Sequence, residues 1–528
     1  MKTILSSRRH HYVARVSIFL VTVALVAGMV GCTAIPVQYK LTISSTTGGS
    51  VIVPGEGASV HNKGVAVWLV AEADEGYRFV RWEGDEDSIA NIGDVTDFST
   101  RVTMNGDYRI AAEFEKIPEY VLTISSSPGG SVTTPGEGTH TYNATKVVSL
   151  VAEPDVGYGF VNWSGDVDTI ADANADRTEI TMNGDYSITA NFTAEEAVTF
   201  NDPNLEEAIG AAIDVDIDER SIYPSDLKGL ESLHADQRNI SDLTGLEHCS
   251  DLVRLYVDRN NIDDISPLTS LTNLAWLYLY DNQIDDISPL ANLTNLTWLY
   301  LYDNQIDDIS PLANLANLTR LKLDHNQIDD ISPLANLTNL TRLYLDRNDI
   351  GDISPLVNLA RLTRLELDHN QVRDISALAN LTNLTRLDFY DNQIDDISPL
   401  ANLTRLTRLE LDRNNIEDIS ALADLTRLTQ LELQDNRISD VSALASLTRL
   451  ERLELQGNDI HDISALVNLT RLNWLELQDN QIEDISPLVD NPGLSEGDTV
   501  DLRNNPLNDI SINTYIPKLE KRGVDVDF

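Results

Sequence analysis

Between residues 251 and 490 the apolar positions follow one template. Leu277 and Leu279 flank an outward-pointing residue, as in a short strand, and Ile284, Ile287, Leu290, Leu293 and Leu296 complete the apolar set. The template then restarts 22 residues later, at Leu299 and Leu301. Each unit carries an asparagine three residues after its strand: Asn260, Asn282, Asn304, Asn326, Asn348, Asn370, Asn392, Asn414, Asn436, Asn458 and Asn480 recur without a slip. A strict period of this length predicts a solenoid in which each unit forms one coil.

Stacking of the coils is obligatory. Burying the aliphatic side chains of a single coil does not offset the entropy of ordering its backbone, and both faces of an isolated coil would stay wet. The asparagines lie where the chain leaves each strand. They are expected to turn inward and serve backbone groups of their own and the next coil. The recurring I-S-P-L (Ile287 to Leu290, Ile309 to Leu312) puts proline where a helix would have to continue, which predicts short 3₁₀ turns on the convex side. Two residues before each turn stands an acid, from Asp264 every 22 residues to Asp484. A carboxylate capping local N–H groups accounts for it; a row of calcium sites is the alternative.

Both ends carry segments that would close the solenoid. Over residues 198–250, Asp202 is an N-cap, Pro203 opens a helix, and Leu205, Ala208, Ile209 and Ala212 share its apolar face; a degenerate coil follows, with Arg238 where the first asparagine would stand. Over residues 491–528, three extra residues precede Asn505, and SINTYIPKLEKRG reads as a short helix interrupted by Pro517 and stopped at Gly523.

Upstream is a duplication of another kind, residues 39–116 and 120–194, joined by a linker at 117–119 and preceded by one at 32–38. LTISS, GGSV, PGEG, GY-x-F and W-x-GD recur at an offset of 81 and MNGDY at 78. Alternating aliphatics between Gly- and Pro-rich turns predict two small all-β modules. Trp82, with Tyr77 and Phe79, is expected in the core, sugar stacking being the alternative.

Residues 198–528 resemble the bacterial internalin-type leucine-rich-repeat family, whose unit L-x-x-L-x-x-L-x-L-x-x-N-x-I-x-D-I-x-P-L is matched almost residue for residue. The resemblance implies a curved solenoid with a parallel β-sheet on its concave face. Members of that family include surface proteins that bind host receptors through this face, although the repeat also occurs in bacteria with no host. The β modules resemble the divergent internalin B-repeat-like modules of secreted proteins. Residues 1–31 resemble a lipoprotein signal: Arg8, Arg9 and Arg15 precede an apolar run, Val16 to Val30, and Met29-Val30-Gly31-Cys32 fits a lipobox with Met at its first position. That likeness implies cleavage before Cys32, lipidation of Cys32, and export to the cell envelope, facing outward.

Charge and chemistry narrow the function further. Without residues 1–31 the chain keeps 34 basic against 84 acidic residues, a net charge of −50, which excludes nucleic acid and a broad anionic membrane surface as natural partners. Cys249 is the only thiol besides Cys32, so no intramolecular disulfide forms in a mature chain, and a buried structural role is expected for it. No G-x-S-x-G, HExxH, P-loop or CxxC is present. His325, His369 and His461 are repeat substitutions at expected exposed positions. No cofactor, metal or enzymatic activity is expected.

The concave face remains. Positions one repeat apart should stand beside each other, giving a column from Arg254 through Trp276, Trp298 and Arg320 to Trp474, and a second from Tyr256 through Tyr278, Tyr300 and Lys322 to Glu476. In the middle coils a row of arginines beside a row of acids forms a compensated ladder. In the early coils Tyr256, Trp276, Tyr278, Tyr280, Trp298, Tyr300 and Tyr302 form an aromatic patch expected to face solvent, and with Tyr344 they are the candidate ligand-binding residues. The reading is a surface protein that binds a protein or peptide; polysaccharide binding and a structural spacer are the alternatives.

Overall fold

The computed structural model describes residues 36–528. Cys32 and the apolar run before it lie outside the described residues, among which no helix is long and apolar enough to cross a membrane. The first β module contains β1 (Gln38–Ser45), β2 (Gly49–Val53), β3 (Gly57–Asn62), β4 (Ala66–Ala73), β5 (Tyr77–Gly84), β6 (Ser99–Thr103) and β7 (Tyr108–Lys116). They form two sheets, β3-β1-β7-β5 and β2-β4-β6, with β1 and β7 parallel. Period-two alternation sends Leu41 and Ile43 of β1, Val67 and Leu69 of β4, and Ile110 and Ala112 of β7 into the core.

Trp82 lies in that core, 1% exposed, and its indole N–H donates to the Asp97 carbonyl at 2.9 Å. Phe79 packs against it at 5.5 Å, so these rings are structural and offer no sugar platform. Gly48, at φ +106°, is required by Tyr77, whose ring lies 2.0 Å from where a Cβ would project. The second module repeats the architecture from Glu119 to Ala194, with Trp163 buried and bonded to the Ala175 carbonyl. It also touches the solenoid: Lys228 pairs with Asp176 at 3.1 Å, and the Ser225 N–H donates to the Glu195 carboxylate at 3.1 Å.

The solenoid carries a 14-stranded parallel sheet of three-residue strands, from Ser232–His234 to Asp525–Asp527. The aliphatics of each regular coil are essentially inaccessible, Leu277, Leu279, Ile284, Ile287, Leu290, Leu293 and Leu296 among them. On the convex side 3₁₀ turns recur as Ser266–Ser270, Ser288–Asn292 and onward, and the one at Ser486–Asp490 widens to α-helix. The repeated acids cap these turns. Asp264 accepts from the Ser266 N–H at 2.7 Å and its hydroxyl at 2.9 Å, and Asp286, Asp308 and Asp330 do the same for Ser288, Ser310 and Ser332. Those bonds hold the Asp286 carboxyl below its ordinary range.

The asparagine amides knit neighbouring coils together. Asn370 donates to the Leu367 carbonyl of its own coil at 3.1 Å and to Leu345 of the preceding coil at 3.0 Å, and accepts from the Ile350 N–H at 3.1 Å. The same set recurs at Asn282, Asn304, Asn326, Asn348, Asn414, Asn436, Asn458 and Asn480. The amide reaches back to the preceding coil, not forward to the next, because the chain leaves its strand toward the loop already laid down. Asn260 and Asn392 point the same way, accepting from Ile240 and Val372.

The residue before each asparagine adopts left-handed backbone. Arg259, Asp281, Asp303, His325, Arg347, His369, Asp391, Arg413, Asp435 and Asp479 all have φ between +51° and +56°, and Gly457 is the single glycine in the row. His369 is accordingly no neutral exposed position: it is half-buried, strained, and bonded to Asp391 at 2.8 Å. At the N-terminal end, Asp202 caps the Pro203–Ala212 helix through the Asn204 N–H at 2.9 Å and also accepts from the Ser241 N–H at 2.7 Å. Leu205, Ala208 and Ile209 join the solenoid core and Gly210 packs against Val215 and Ile217, whereas Ala212, in the last turn, is exposed. At the other end the helix Ile516–Lys521 returns the chain to the sheet for a last strand, Asp525–Asp527, that the sequence did not suggest.

Asn370→Ala is expected to leave buried backbone groups unpaired and to cost about 1–3 kcal/mol in urea denaturation. Arg347→Gly should do the opposite. It relieves a left-handed conformation at an exposed side chain, and a gain of about 0.5–1 kcal/mol should remain after the backbone-entropy loss of glycine.

Candidate functional site

Every regular coil presents the first and third residues of its strand to the concave side and buries the leucine between them. Pairing is in register, Trp276 beside Trp298 and Tyr278 beside Tyr300. Identical positions therefore stand about 4.8 Å apart, close to the separation at which aromatic rings stack.

Three capped stacks result. His234, Tyr256 and Tyr278 lie face to face at 4.3 and 4.7 Å, with Tyr300 edge-on at 4.7 Å. Trp276 lies flat on Trp298 at 4.5 Å, and Arg254 and Arg320 cover the outer faces of the pair at 5.7 and 4.1 Å. Tyr280 stacks on Tyr302 at 4.2 Å between Arg259 and Lys322. The seven rings on these three neighbouring coils are half-buried, not freely exposed, because their faces are spent on one another and on cations. The five tyrosines, but not Trp276 or Trp298, line a shallow depression of about 320 Å³ together with Asp236, Asp258, Arg259 and Lys322. Burial pushes the Tyr278 hydroxyl up to about 12, which keeps it a donor.

Tyr344 stands apart. It lies two strands beyond Trp298–Tyr300, 7% exposed, between the Lys322 ammonium at 4.4 Å and the Arg364 guanidinium at 5.1 Å. Those long side chains close over it, so its ring offers a ligand almost no surface. His234 belongs to the stack but escaped the sequence reading, because it sits in the degenerate coil. Its position 22 residues before Tyr256 was the available signal.

The middle coils carry the charge ladder. Arg386 reaches Asp388 at 2.5 Å and Glu366 at 3.2 Å, while Arg408 reaches Glu410 at 2.9 Å and Glu432 at 3.5 Å. Carboxylate oxygens of Glu410, Asp412 and Glu432 lie within 4.8 Å of one another, but Arg408 already supplies the cation there. Cys249 is buried and its thiol is pushed up to about 12, which leaves it unreactive.

A third column went unread in the sequence. Asp324, Asp346 and Asp368 stand on consecutive coils, and Asp324 and Asp346 accept from the N–H groups of Asp346 and Asp368 at 3.1 and 2.9 Å. Burial, with neighbouring carboxylates, raises Asp324 to about 6, Asp346 to about 8 and Asp368 to about 7; Asp412 rises likewise to about 8. Their 22-residue spacing was legible; their burial was not.

With this geometry in view, the molecule is a leucine-rich-repeat scaffold preceded by two β modules. Residues 39–118 and 120–196 match the divergent InlB B-repeat domain, and residues 272–490 match leucine-rich repeats in overlapping pairs. Internalin InlF of Listeria monocytogenes is similar at 39% identity over 62% of this chain and 96% of that one, with a TM-score of 0.59. Internalin C2 of the same organism shares 41% identity over 39% of this chain and 92% of its own, TM-score 0.39. A leucine-rich-repeat protein of Leptospira interrogans shares 22% identity over 58% and 87% of the two chains, TM-score 0.49. No match is found among curated proteins. The chain belongs to the internalin family of leucine-rich-repeat proteins.

The acid column makes stability depend on pH in a definite direction. A carboxyl whose pKa is higher folded than unfolded favours the fold when protonated, so its contribution is fully present below the unfolded value near 4 and lost as pH rises through 6 to 8. The melting temperature should fall between about pH 5.5 and pH 8.5. Asp346→Asn keeps an acceptor for the Asp368 N–H and removes the charge. It should raise the melting temperature at the higher pH and change it little at the lower.

Proposed function

We propose that this chain is a binding protein anchored to the outer side of the cell envelope by lipid on Cys32, whose solenoid captures a protein or peptide partner at the aromatic stacks of its early concave coils. The observation that carries the reading is the run of rings from His234 to Tyr302, a concentration of aromatic surface of the kind that dominates protein interfaces. Tyrosine hydroxyls, Arg254, Arg320 and Asp258 around it supply directional polar contacts at the rim. The ring geometry favours protein over polysaccharide. Sugars pack on free aromatic faces, and both faces of the Trp276–Trp298 pair are taken, one by the partner ring and the other by a guanidinium.

The discriminating experiment is capture of surface proteins by the 198–528 fragment, beside a glycan array. Trp276→Ala with Trp298→Ala should abolish capture, since interface anchors of this type cost about 2 kcal/mol or more each. Because the rings also support each other, the double variant should lose about 1–2 kcal/mol of stability while keeping its circular dichroism. Substituting Arg364 and Arg386 should weaken capture less, and in a salt-dependent way. Normal capture by the tryptophan variant, or binding confined to the array, would defeat the reading.

Anchoring has its own test. Cys32→Ser should move the protein from the detergent phase to the aqueous phase with its folded domains unchanged; unaltered partitioning would point to an uncleaved apolar segment instead.

A further inference from the structure

The two β modules share one fold and one core but differ in what they show to solvent. In the first, Trp68 on β4 is 49% exposed, and Phe98, immediately before β6, is 56% exposed. Val53 of β2 continues this apolar surface on the same sheet, paired to Val70 beside Trp68. Val65 precedes β4 where the chain enters the module, the Val37 carbonyl accepting from the Lys63 N–H at 2.8 Å, whereas Val60 lies on the outer face of the other sheet, paired to Lys40. In the second module the same positions hold Thr134, Thr141, Lys146, Ser149 and Asp176.

The charges differ in the same sense. Arg101 lies 4.4 Å over the Trp68 ring and Lys63 stands just before the strand that carries it, whereas their counterparts are Glu179 and Ala144. Since the second module folds with polar residues at these places, the fold does not demand the apolar ones. An amphipathic tryptophan capped by arginine among exposed apolar side chains is a composition that settles at the boundary between lipid headgroups and acyl chains.

We infer that this face of the first module rests on the phospholipid surface to which the chain is tethered, an inference built on the lipid anchor proposed above. Reach permits it. Only residues 33–37 separate Cys32 from Gln38 at the start of β1, a span of at most about 22 Å, and the chain enters the module beside Val65, just before the strand that carries Trp68. Contact there would turn a single tether into two attachments and fix the first module against the bilayer.

The test uses the full lipidated chain on phosphatidylcholine vesicles whose acyl chains carry bromine, a short-range quencher of tryptophan emission. Trp68→Ser and Phe98→Asp borrow residues that the second module already accommodates, so folding should persist. The expected result is a quenched component of the emission that disappears in Trp68→Ser and weakens in Phe98→Asp. Equal quenching of attached wild-type and Trp68→Ser chains would overturn the inference while leaving the anchor intact. Failure of the wild-type chain to attach would defeat both. Self-association of the Cys32→Ser chain in lipid-free buffer, abolished by Phe98→Asp, would assign the surface to a second copy and likewise overturn it.

Discussion

In-register parallel pairing at a fixed period governs this molecule. Once each coil contains 22 residues and each strand pairs residue for residue with the next, every side chain meets its own equivalent about 4.8 Å away. Leucine and isoleucine tolerate that neighbour without difficulty, which is why the interior is uniform. Asparagine exploits it, since an amide can donate to one coil while accepting from another. The price falls on the residue before it, held in left-handed backbone by the turn that aims the amide inward.

Charged and aromatic residues meet the same constraint with different outcomes. Flat rings at this spacing stack, and the stacks end where arginine or lysine covers the last face. Carboxylates at this spacing repel. The second column answers by placing Arg386 and Arg408 between successive acids. The third column receives backbone N–H groups but little cationic compensation, so Asp346 and Asp368 hold protons near neutrality instead. A formal count that takes every carboxyl as ionised therefore overstates the negative charge of this column.

Periodic features were readable from the sequence, and features that depend on direction or depth were not. The repeat fixed coil length, the interior leucines and the convex caps, since each follows from spacing alone. That the amides reach back and not forward depends on handedness of the turn, which no spacing encodes. The aromatic positions were legible as columns, but expecting them to face solvent treated each ring separately; Trp276 and Trp298 cover one another only because the sheet sets them at stacking distance. Tyr344 illustrates the same point, being buried by the longer side chains of adjacent coils. The closing strand Asp525–Asp527 lies outside the period and left no repeat signal.

Repetition also supplies an internal control for function. Where copies of one unit share a fold, residues common to all of them answer to that fold, and a departure confined to one copy needs another cause. On the solenoid the asparagines and leucines are common, whereas paired tryptophans and tyrosines belong to the coils around residues 276–302 and give way to arginine and acids further on. In the β modules the buried tryptophan is common to both, whereas Trp68 and Phe98 occur in one. The same comparison constrains both surfaces: polar counterparts at equivalent positions show that neither the sheet nor the sandwich needs these rings for its own packing. On the first β module, Trp68 and Phe98 leave apolar area in water, a cost that contact with another molecule would remove.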